Sequence, residues 1–335
     1  MKSPLDRFND TVNGKGPASF FWESIGYGQG TIERWYGEGL PANVHLDGHR
    51  EQWAKSPYDY FGLDWINFAP LSHHYSPGFE EAIFPVKDQE SYEKILFRMN
   101  ASSPERWEPD RWKRWQKETG ILPTPIAAMV TGFFAIIREL MGIEEGLIAF
   151  YTNPGLIRRI LRDHCNFCIE LIRQTKERTR IDFCYLWEDM SYKSGMFISP
   201  GLFKEFIAPE ASRFIRTIRG LGVPLTIVDS DGDVRKLIPL YLECGASGFL
   251  PFEVQAGMDI REIRKQYPEL IIIGGVNKLA IAKGGDALER EISEKVGWMV
   301  ARGRYIPSLD HQAHPEMSLA NYRKYTDRVK DLLSR

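Results

Sequence analysis

The sequence predicts an α/β protein built as a single (β/α)8 barrel (a TIM barrel), and three observations support this prediction. From Pro123 onward, short apolar runs alternate with longer amphipathic ones, which is the pattern of parallel strands joined by helices. Several short runs end in turns rich in Gly or Asp, and no Gly-rich phosphate loop opens a first strand–helix unit, which favours a barrel over an open sheet. The length of 335 residues suits one barrel with insertions.

The first part of the chain is predicted to be an irregular, aromatic-rich N-terminal segment, residues 1–60, which precedes a barrel of residues 61–335 within one domain. Its aromatic side chains are expected either to pack this segment or to line the mouth of a pocket for an apolar or aromatic ligand. The stretch Leu63–Ala69 predicts a first strand, and an eighth strand is placed between Ala82 and Val86. The charged, Trp-rich stretch Arg98–Glu118 predicts an insertion or a lid.

The rest of the chain predicts six further strands and six helices, because the apolar spacing changes from that of strands to that of helices and back. The predicted strands are Thr124–Thr131, Asp182–Trp187, Pro224–Val228, Ser247–Pro251, Leu270–Ile273 and Arg304–Leu309. The predicted helices are Pro154–Arg180, one that begins at Ser199-Pro200, Val234–Cys244, Asp259–Gln266, Ala287–Ala301 and Leu319–Leu333.

Composition and charge disfavour several classes of protein. Lys and Arg number 43 against 45 Asp and Glu, a net charge of -2, so the sequence predicts neither nucleic-acid nor membrane-surface binding. With four cysteines in a chain of this size, a disulfide scaffold is not expected. The N-terminus does not resemble a signal peptide, and no apolar run approaches the ~18 residues that span a bilayer. A cytoplasmic location is therefore expected.

Polar side chains follow five of the predicted strands, at the point where each strand ends. Because catalytic groups of a parallel barrel stand at the carboxyl ends of its strands, these residues are expected to converge on one face. The residues at these strand ends are Glu188 and Asp189, then Asp229, Ser230, Asp231, Gly232 and Asp233, then Glu253, then Asn277 and Lys278, then Asp310 and His311.

The pair Asp229 and Asp231 is the first candidate for chemistry. Residues at i and i+2 of an extended chain lie on the same side, and Gly232 allows the following turn. Two carboxylates in that arrangement predict either an acid–base pair or, together with His311, a site for zinc, iron or manganese. The run DSDGD does not continue as a calcium loop, since Leu240 stands where a Glu is required.

Other polar residues receive secondary roles. Glu188, Asp189 and Lys278 are expected to orient a substrate or move protons. Asp233 is expected to cap the helix that begins near Val234. His73 and His74, in a loop after the first strand, are candidates for the same pocket. His164, Cys165 and Cys168 form an HCxxC cluster inside an amphipathic helix, which predicts core positions rather than a metal knuckle.

Several segments carry a family resemblance. They are Glu188–Glu210, Val228–Asp259, Ile271–Lys278, Tyr305–Tyr325 and the N-terminal TIERWYGEGLP of Thr31–Pro41. On these segments the chain resembles uroporphyrinogen decarboxylase-like (URO-D-like) proteins, the superfamily that also holds corrinoid-dependent methyltransferases. The resemblance implies a barrel with its pocket at the carboxyl ends of the strands. The candidate substrate-binding residues are Arg34 and Trp35 from the N-terminal segment, Glu253 and Asn277 from the strand ends, and His73 and His74 from the loop after the first strand.

The resemblance is less specific about the reaction. Uroporphyrinogen decarboxylases carry an arginine-rich RQAGRYLPEY segment that grips the carboxylates of their substrate, whereas here Arg34 stands alone between Glu33 and Glu38. His311 matches a histidine near the end of those decarboxylases. In the methyltransferase branch, Asp229 and Asp231 stand where an HxC motif binds zinc, and His311 stands near a late cysteine. The implied metal ligands are therefore harder than those of the zinc–thiol enzymes.

The leading hypothesis is a metal-assisted methyltransferase that acts on a small methylated or methoxylated substrate, with a corrinoid protein or folate as methyl partner. Zinc or manganese would be held by Asp229, Asp231 and His311, and no bound organic cofactor is expected. One alternative is a decarboxylase of uroporphyrinogen or another acid. A second is a non-catalytic protein that binds a corrinoid or tetrapyrrole. A homodimer is expected from the superfamily.

Overall fold

The computed structural model describes residues 2–46, 55–71, 84–119 and 123–334, and the chain divides into two compact units. One unit, the terminal unit, comprises Met1–Ile66 and Phe249–Arg335, and the other, the central unit, comprises Asn67–Gly248. The arrangement as one domain with an N-terminal segment up to residue 60 remains a prediction.

The N-terminal part of the terminal unit contains three helices: α1 (Pro4–Val12), α2 (Gln29–Gly37) and α3 (Pro57–Phe61). Capping boxes begin α1 and α3, in which a serine and an aspartate three residues later satisfy each other's backbone N–H groups. The segment is thus more regular than its sequence predicts. Its aromatic residues pack as core, since Trp35 is fully buried and its ring contacts Tyr27 and Phe61.

The central unit is built on parallel strands. The strands are β1 (Asn67–Phe68), β2 (Ile126–Thr131), β3 (Phe183–Trp187), a short antiparallel hairpin of β4 (Ser191–Tyr192) and β5 (Gly195–Met196), and β6 (Leu225–Asp229). β1 pairs with β2, β2 with β3 and β3 with β6, all in parallel. In this register Thr131, Trp187 and Asp229 stand side by side, so three carboxyl ends meet at one edge.

Helices connect these strands. They are α4 (Gln89–Ile95), α5 (Pro109–Thr119), α6 (Phe133–Met141), α7 (Ile143–Thr152), α8 (Pro154–Arg178), α9 (Pro200–Leu202), α10 (Ala208–Gly220) and α11 (Leu237–Cys244), with 3₁₀ turns at Leu96–Met99 and Pro104–Arg106 and a π turn at Phe203–Ile207. The start of α8 is confirmed, because the side chain of Asn153 caps it. The helices α6 and α7 were not predicted.

The stretch predicted as an insertion or lid packs along α8. The guanidinium of the buried Arg106 lies 4.6 Å from the ring centroid of Phe167, and that of Arg178 lies 4.2 Å from the ring centroid of Trp107. Because α8 ends at Arg178 just before β3 begins at Phe183, Trp107 lies near the edge where the strands begin. This placement favours an insertion over a lid at the carboxyl ends of the strands.

The remaining elements begin with β7 (Gly248–Leu250), where the chain passes from the central to the terminal unit. They continue with α12 (Ile260–Gln266), β8 (Ile271–Ile273), α13 (Lys278–Lys283), α14 (Gly285–Arg290), a π turn at Glu291–Val296, α15 (Gly297–Val300), β9 (Tyr305–Ile306) and α16 (Leu319–Leu333), with a 3₁₀ turn at Val254–Ala256. β8 and β9 pair in parallel. The bounds of α16 are those predicted, whereas the π turn divides the helix predicted at Ala287–Ala301.

Several strands are shorter than predicted. Leu63–Ala69 contains only the two residues of β1, and Arg304–Leu309 contains only the two residues of β9. Ala82 and Ile83 lie outside the described residues, and the described Phe84–Val86 is not a strand. The α/β class itself is confirmed by parallel strands that alternate with helices.

The cysteines and the HCxxC cluster lie in the core, as predicted. All four thiols are free and buried, and His164 and Cys168 are buried side by side, with Sγ 3.4 Å from Nε2. Among the described residues, no helix combines the length and the apolar character needed to cross a bilayer.

Candidate active site at the carboxyl ends of the strands

Three carboxylates of the central unit converge where β3 and β6 end. Asp189, Asp229 and Asp231 each offer an oxygen, and these oxygens lie within 4.8 Å of one another. The backbone brings them together, because the N–H groups of Glu188 and Asp189 donate to the Asp229 carbonyl at 2.9 and 3.1 Å. Asp229 is buried, whereas Asp189 and Asp231 are half-buried, so this carboxylate cluster is partly open to solvent.

Tyr185 on β3 holds the buried member of the carboxylate cluster. Its hydroxyl donates to Asp229 Oδ2 at 2.6 Å, and its ring packs edge-on against Phe68. Burial, and then the negative charge of Asp229, raise the pKa of the Tyr185 hydroxyl well above its ordinary value. Tyr185 therefore remains a hydrogen-bond donor, which stabilises the charged form of Asp229.

Arg138 on α6 holds a second member. Its guanidinium donates to the Asp189 carbonyl and to Oδ2, both at 3.1 Å, and lies over the ring of Trp187. Asp189 has a φ of 44°, a left-handed backbone conformation that costs free energy outside glycine. The two hydrogen bonds from Arg138 help to stabilise that conformation.

Glu188 supplies a buried acid next to the carboxylate cluster in the chain. Its Oε1 accepts from the Phe134 N–H at 2.9 Å and from the Tyr241 hydroxyl at 2.7 Å, while Oε2 has no hydrogen-bond partner among the described residues. Burial raises the pKa of Glu188 to about 8, so the group is protonated at neutral pH.

The turn after β6 separates Asp233 from the carboxylate cluster. Gly232 has a φ of 78°, and a Cβ there would lie 2.5 Å from the carbonyl carbon of Tyr192. Asp233 forms an ion pair with Arg235 at 2.6 Å and accepts from the Arg235 N–H. The prediction that Asp233 caps the next helix is wrong, because α11 begins at Leu237 and Asp233 instead closes the turn before it.

The terminal unit carries a second group of polar side chains, at the ends of β7, β8 and β9. Lys278 Nζ lies 3.8 Å from Glu253 Oε1. The fully buried Asp310 accepts from the Val254 N–H at 2.9 Å and from the Lys278 N–H at 3.0 Å. His311 follows Asp310 and is half-buried.

The side chain of Asn277 has a structural role in the same group. Its Oδ1 accepts from the backbone N–H of Leu279 at 3.0 Å and so caps α13. The backbone N–H of Asn277 donates to Glu291 Oε1 at 2.8 Å, and Glu291 forms a buried ion pair with Lys295 at 2.6 Å. This placement favours helix capping over the substrate contact expected from the sequence.

Arg34 and Trp35 also have structural partners. Arg34 pairs with Glu38 at 2.6 Å and donates to the Pro315 carbonyl at 2.7 Å. Trp35 is fully buried and donates from Nε1 to the Met317 carbonyl at 2.8 Å. These bonds fasten α2 to the chain that leads into α16, and they favour packing over substrate binding. His73 and His74 lie outside the described residues.

The structure thus brings the predicted site residues together in two sets. The central unit holds Glu188, Asp189, Asp229 and Asp231, and the terminal unit holds Glu253, Asn277, Lys278 and His311. The predicted metal ligands Asp229 and Asp231 belong to the first set and His311 to the second, so their joint role remains a prediction.

Four further residues hold these groups in place: Arg138, Tyr185, Tyr241 and Asp310. Asp310 was predicted to stand at a strand end, whereas the other three were not predicted. Tyr185 nevertheless carried a signal, because a polar-tipped residue in an otherwise apolar strand usually finds a buried partner. Arg138 and Tyr241 reach the site from helices, and their spacing in the sequence does not indicate this.

Comparisons with known proteins agree with this architecture. The family model of uroporphyrinogen decarboxylase (URO-D) matches residues 116–332. Among solved structures, a methyltransferase from Methanosarcina mazei is similar with a TM-score of 0.67 and 13% identity, over 99% of both chains. A putative vitamin-B12 independent methionine synthase from Listeria monocytogenes has a TM-score of 0.47 and 10% identity, over 93% of this chain and 96% of that one. No curated protein sequence matches the chain.

At 13% identity, the likeness to the Methanosarcina protein shows a shared fold, which extends over 99% of the chain. The predicted (β/α)8 barrel class is thereby confirmed. Because the matching family model spans more than half of the chain, the protein belongs to the uroporphyrinogen decarboxylase (URO-D) family.

Proposed function

We propose that this protein is a metal-assisted methyltransferase that acts on a small methylated or methoxylated substrate. The single observation that carries the proposal is the carboxylate cluster, in which three side chains offer oxygens within 4.8 Å of one another. One of these side chains is buried, and three carboxylates this close repel one another when all are charged. A divalent cation would offset that repulsion.

The donor set fits a hard divalent cation. Carboxylate oxygens suit manganese, magnesium or a Lewis-acidic zinc better than they suit metals that require thiolates. Asp189, Asp229 and Asp231 would hold the metal, and His311 remains the predicted nitrogen ligand. When bound, the metal would polarise a methoxy or amine group of the substrate and so make its methyl group easier to transfer.

The surrounding residues would keep the carboxylates in place and handle protons. Tyr185 and Arg138 donate to Asp229 and Asp189, as outer partners of metal ligands commonly do. Glu188 is fully buried, with Oε2 out of contact with solvent, so its proton would reach a leaving amine or alkoxide only through an intervening group or water. Lys278 and Glu253 would orient the polar part of the substrate.

The methyl group needs an acceptor. In the proposal this is a corrinoid protein or folate, a partner suggested by the resemblance of the chain to the methyltransferase branch. The cobalt of a reduced corrinoid would take the methyl group from the donor, and the substrate oxygen or nitrogen would keep the bonding electrons and gain a proton.

Metal binding tests the first part of the proposal. We expect the purified protein to retain zinc or manganese after dialysis against that metal, as measured by elemental analysis, and the Asp231→Asn and Asp229→Asn variants to lose it. Asp233→Asn is the matched control, because Asp233 pairs with Arg235 in the same turn. His311→Ala tests the fourth ligand separately. Wild-type protein that binds neither metal would refute the mechanism.

Methyl transfer tests the second part. Free cob(I)alamin can serve as the acceptor, and formation of methylcobalamin from methylated amines or methoxylated aromatic compounds can be followed by absorbance. We expect transfer to require the metal and to be lost in Asp231→Asn. Transfer that persists in the metal-free protein would contradict the metal-assisted route.

A decarboxylase is the second candidate, favoured by the family model itself, which bears the name of that activity. An octa-acid such as uroporphyrinogen requires cationic groups to bind its carboxylates, yet the guanidinium of Arg34 is already bonded to Glu38 and Pro315. Loss of carboxyl groups from uroporphyrinogen I or III on incubation with the protein would favour this candidate over methyl transfer.

A further inference from the structure

One buried carboxylate joins three loops of the terminal unit. Asp310 Oδ2 accepts from the Val254 N–H in the loop after β7, and Oδ1 accepts from the Lys278 N–H after β8. The N–H of Asp310, after β9, donates to the Val276 carbonyl at 2.8 Å. The relative positions of three successive strand ends therefore depend on one fully buried side chain.

Each of these loops carries a charged or titratable side chain, either on a residue of this hydrogen-bond network or on its neighbour in the chain. Glu253 precedes Val254, Lys278 is itself bonded through its N–H, and His311 follows Asp310. Glu253 and Lys278 come from different loops, yet their charged atoms lie 3.8 Å apart, with side chains that are 23% and 15% exposed. Their separation is therefore sensitive to how the two loops are joined.

A carboxylate suits this junction for a chemical reason. Two backbone N–H donors require two acceptor oxygens, and an ionised carboxylate provides both. An asparagine would provide one oxygen and would turn an NH2 group toward the other N–H, leaving a buried donor unsatisfied. Burial raises the pKa of Asp310, and the hydrogen bonds from Lys278 and Val254 partly offset that rise.

We propose that Asp310 is a positioning residue of the strand-end site: it fixes Glu253 and Lys278 relative to each other and sets the start of the turn that carries His311. The functional meaning of this role rests on the proposed function, in which Glu253, Lys278 and His311 serve the substrate or the metal. The structural part does not depend on that function, since it concerns only the geometry of the three loops.

Chemical labelling of lysines tests the proposal. Acetic anhydride at low dose acetylates exposed amines, and mass spectrometry gives the rate at Lys278 relative to Lys94, which is 70% exposed. We expect a slow rate at Lys278 in the wild-type protein and a severalfold faster rate in Asp310→Asn, because the loops separate and the ion pair opens. Asp64→Asn is the control for a general loss of stability in the same unit, since Asp64 also accepts from a backbone N–H, that of Phe21, and pairs with Arg7.

The outcomes are distinct. A folded Asp310→Asn protein that labels Lys278 at the wild-type rate overturns the proposal, as does an equal increase in Asp64→Asn. If Asp310→Asn does not fold, hydrogen exchange of the wild-type protein decides: slow exchange of the Val254 and Lys278 amides supports the junction, and fast exchange overturns it. None of these readouts needs turnover, so a failure to find methyl transfer would reject the proposed function and leave this inference standing.

Discussion

The carboxyl group of Glu188 occupies the space that a side chain at Gly132 would fill. A Cβ on Gly132 would overlap Oε2, and it would also lie 2.6 Å from Glu188 Cδ and 2.7 Å from its backbone Cα. Gly132 precedes α6, whose second N–H, that of Phe134, donates to Glu188 Oε1. Because Gly132 has no side chain, the end of β2 leaves room for the buried carboxyl group of Glu188 at the end of β3.

Gly132→Ala is predicted to destabilise the protein by about 3 kcal/mol, because overpacking of this kind displaces both the Glu188 carboxyl and its backbone. Gly132 has a φ of -73°, which any residue adopts, so the effect is steric. Urea unfolding measures it. Gly155→Ala is the control, since nothing lies within 4 Å of a Cβ there and alanine favours a helix. Equal stability of the two variants would contradict this account.

Glu188→Gln is predicted to change how stability depends on pH. The pKa of Glu188 rises from an ordinary 4.5 to about 8 in the folded protein. Between these values the folded chain holds a proton that the unfolded chain has lost, so the free energy of unfolding falls as pH rises, by roughly 1.4 kcal/mol per pH unit at most. Stability from this group is fully present below pH 4.5.

Glutamine mimics the protonated acid and does not ionise, so the free energy of unfolding of Glu188→Gln should lack this fall with pH. The stability of the variant relative to the wild-type protein should therefore increase as pH rises toward 8. Urea unfolding at pH 5, 6.5 and 8 measures the difference. Glu23, whose pKa burial raises to about 7, provides the comparison: in Glu23→Gln the corresponding change should be complete near pH 7. A constant difference between wild type and Glu188→Gln across this range would show that Glu188 ionises normally.

Tyr185→Phe is predicted to weaken metal binding roughly 10-fold or more, because it removes the hydroxyl that orients Asp229. Isothermal titration with Mn²⁺ or Zn²⁺ measures the change. Tyr241→Phe is the matched control: its hydroxyl is also buried but donates to Glu188 rather than to the carboxylate cluster, so we expect affinity close to that of the wild type. Equal affinities in all three proteins would show that the Tyr185 hydroxyl does not support metal binding.

Arg106→Met is predicted to lower stability by about 3 kcal/mol while leaving metal binding unchanged. Arg106 is buried and donates to the carbonyls of Asn100 and Arg98, which would lose their partners. Its guanidinium contacts Phe167 in the middle of α8, and the carbonyls that it holds belong to residues 98 and 100 rather than to the carboxylate cluster. Thermal unfolding and metal titration check the two parts, with Arg162→Met on α8 as the control at an exposed arginine. Loss of metal binding would favour the lid interpretation.

Much of the fold could be predicted from sequence where a single period persists over a long stretch. Helix α16 has the predicted bounds, and α8 and β3 differ from prediction by two residues or fewer. The helices α6 and α7 were missed because both are short and mostly apolar, with few charged residues to mark a polar face, and only Gly142 separates them. A short apolar run does not distinguish a buried strand from a buried helix.

By itself, the sequence determined the α/β class, the family resemblance and the polar strand ends, because these depend on local periodicity and on which residues follow each apolar run. Only the tertiary structure decided which of those residues meet. Asp189 joins Asp229 and Asp231 through strand register, whereas Asn277 caps a helix and Trp35 packs in a core. The donors Tyr185 and Arg138 and the close approach at Gly132 arise from contacts between separate elements, which spacing along one chain does not encode.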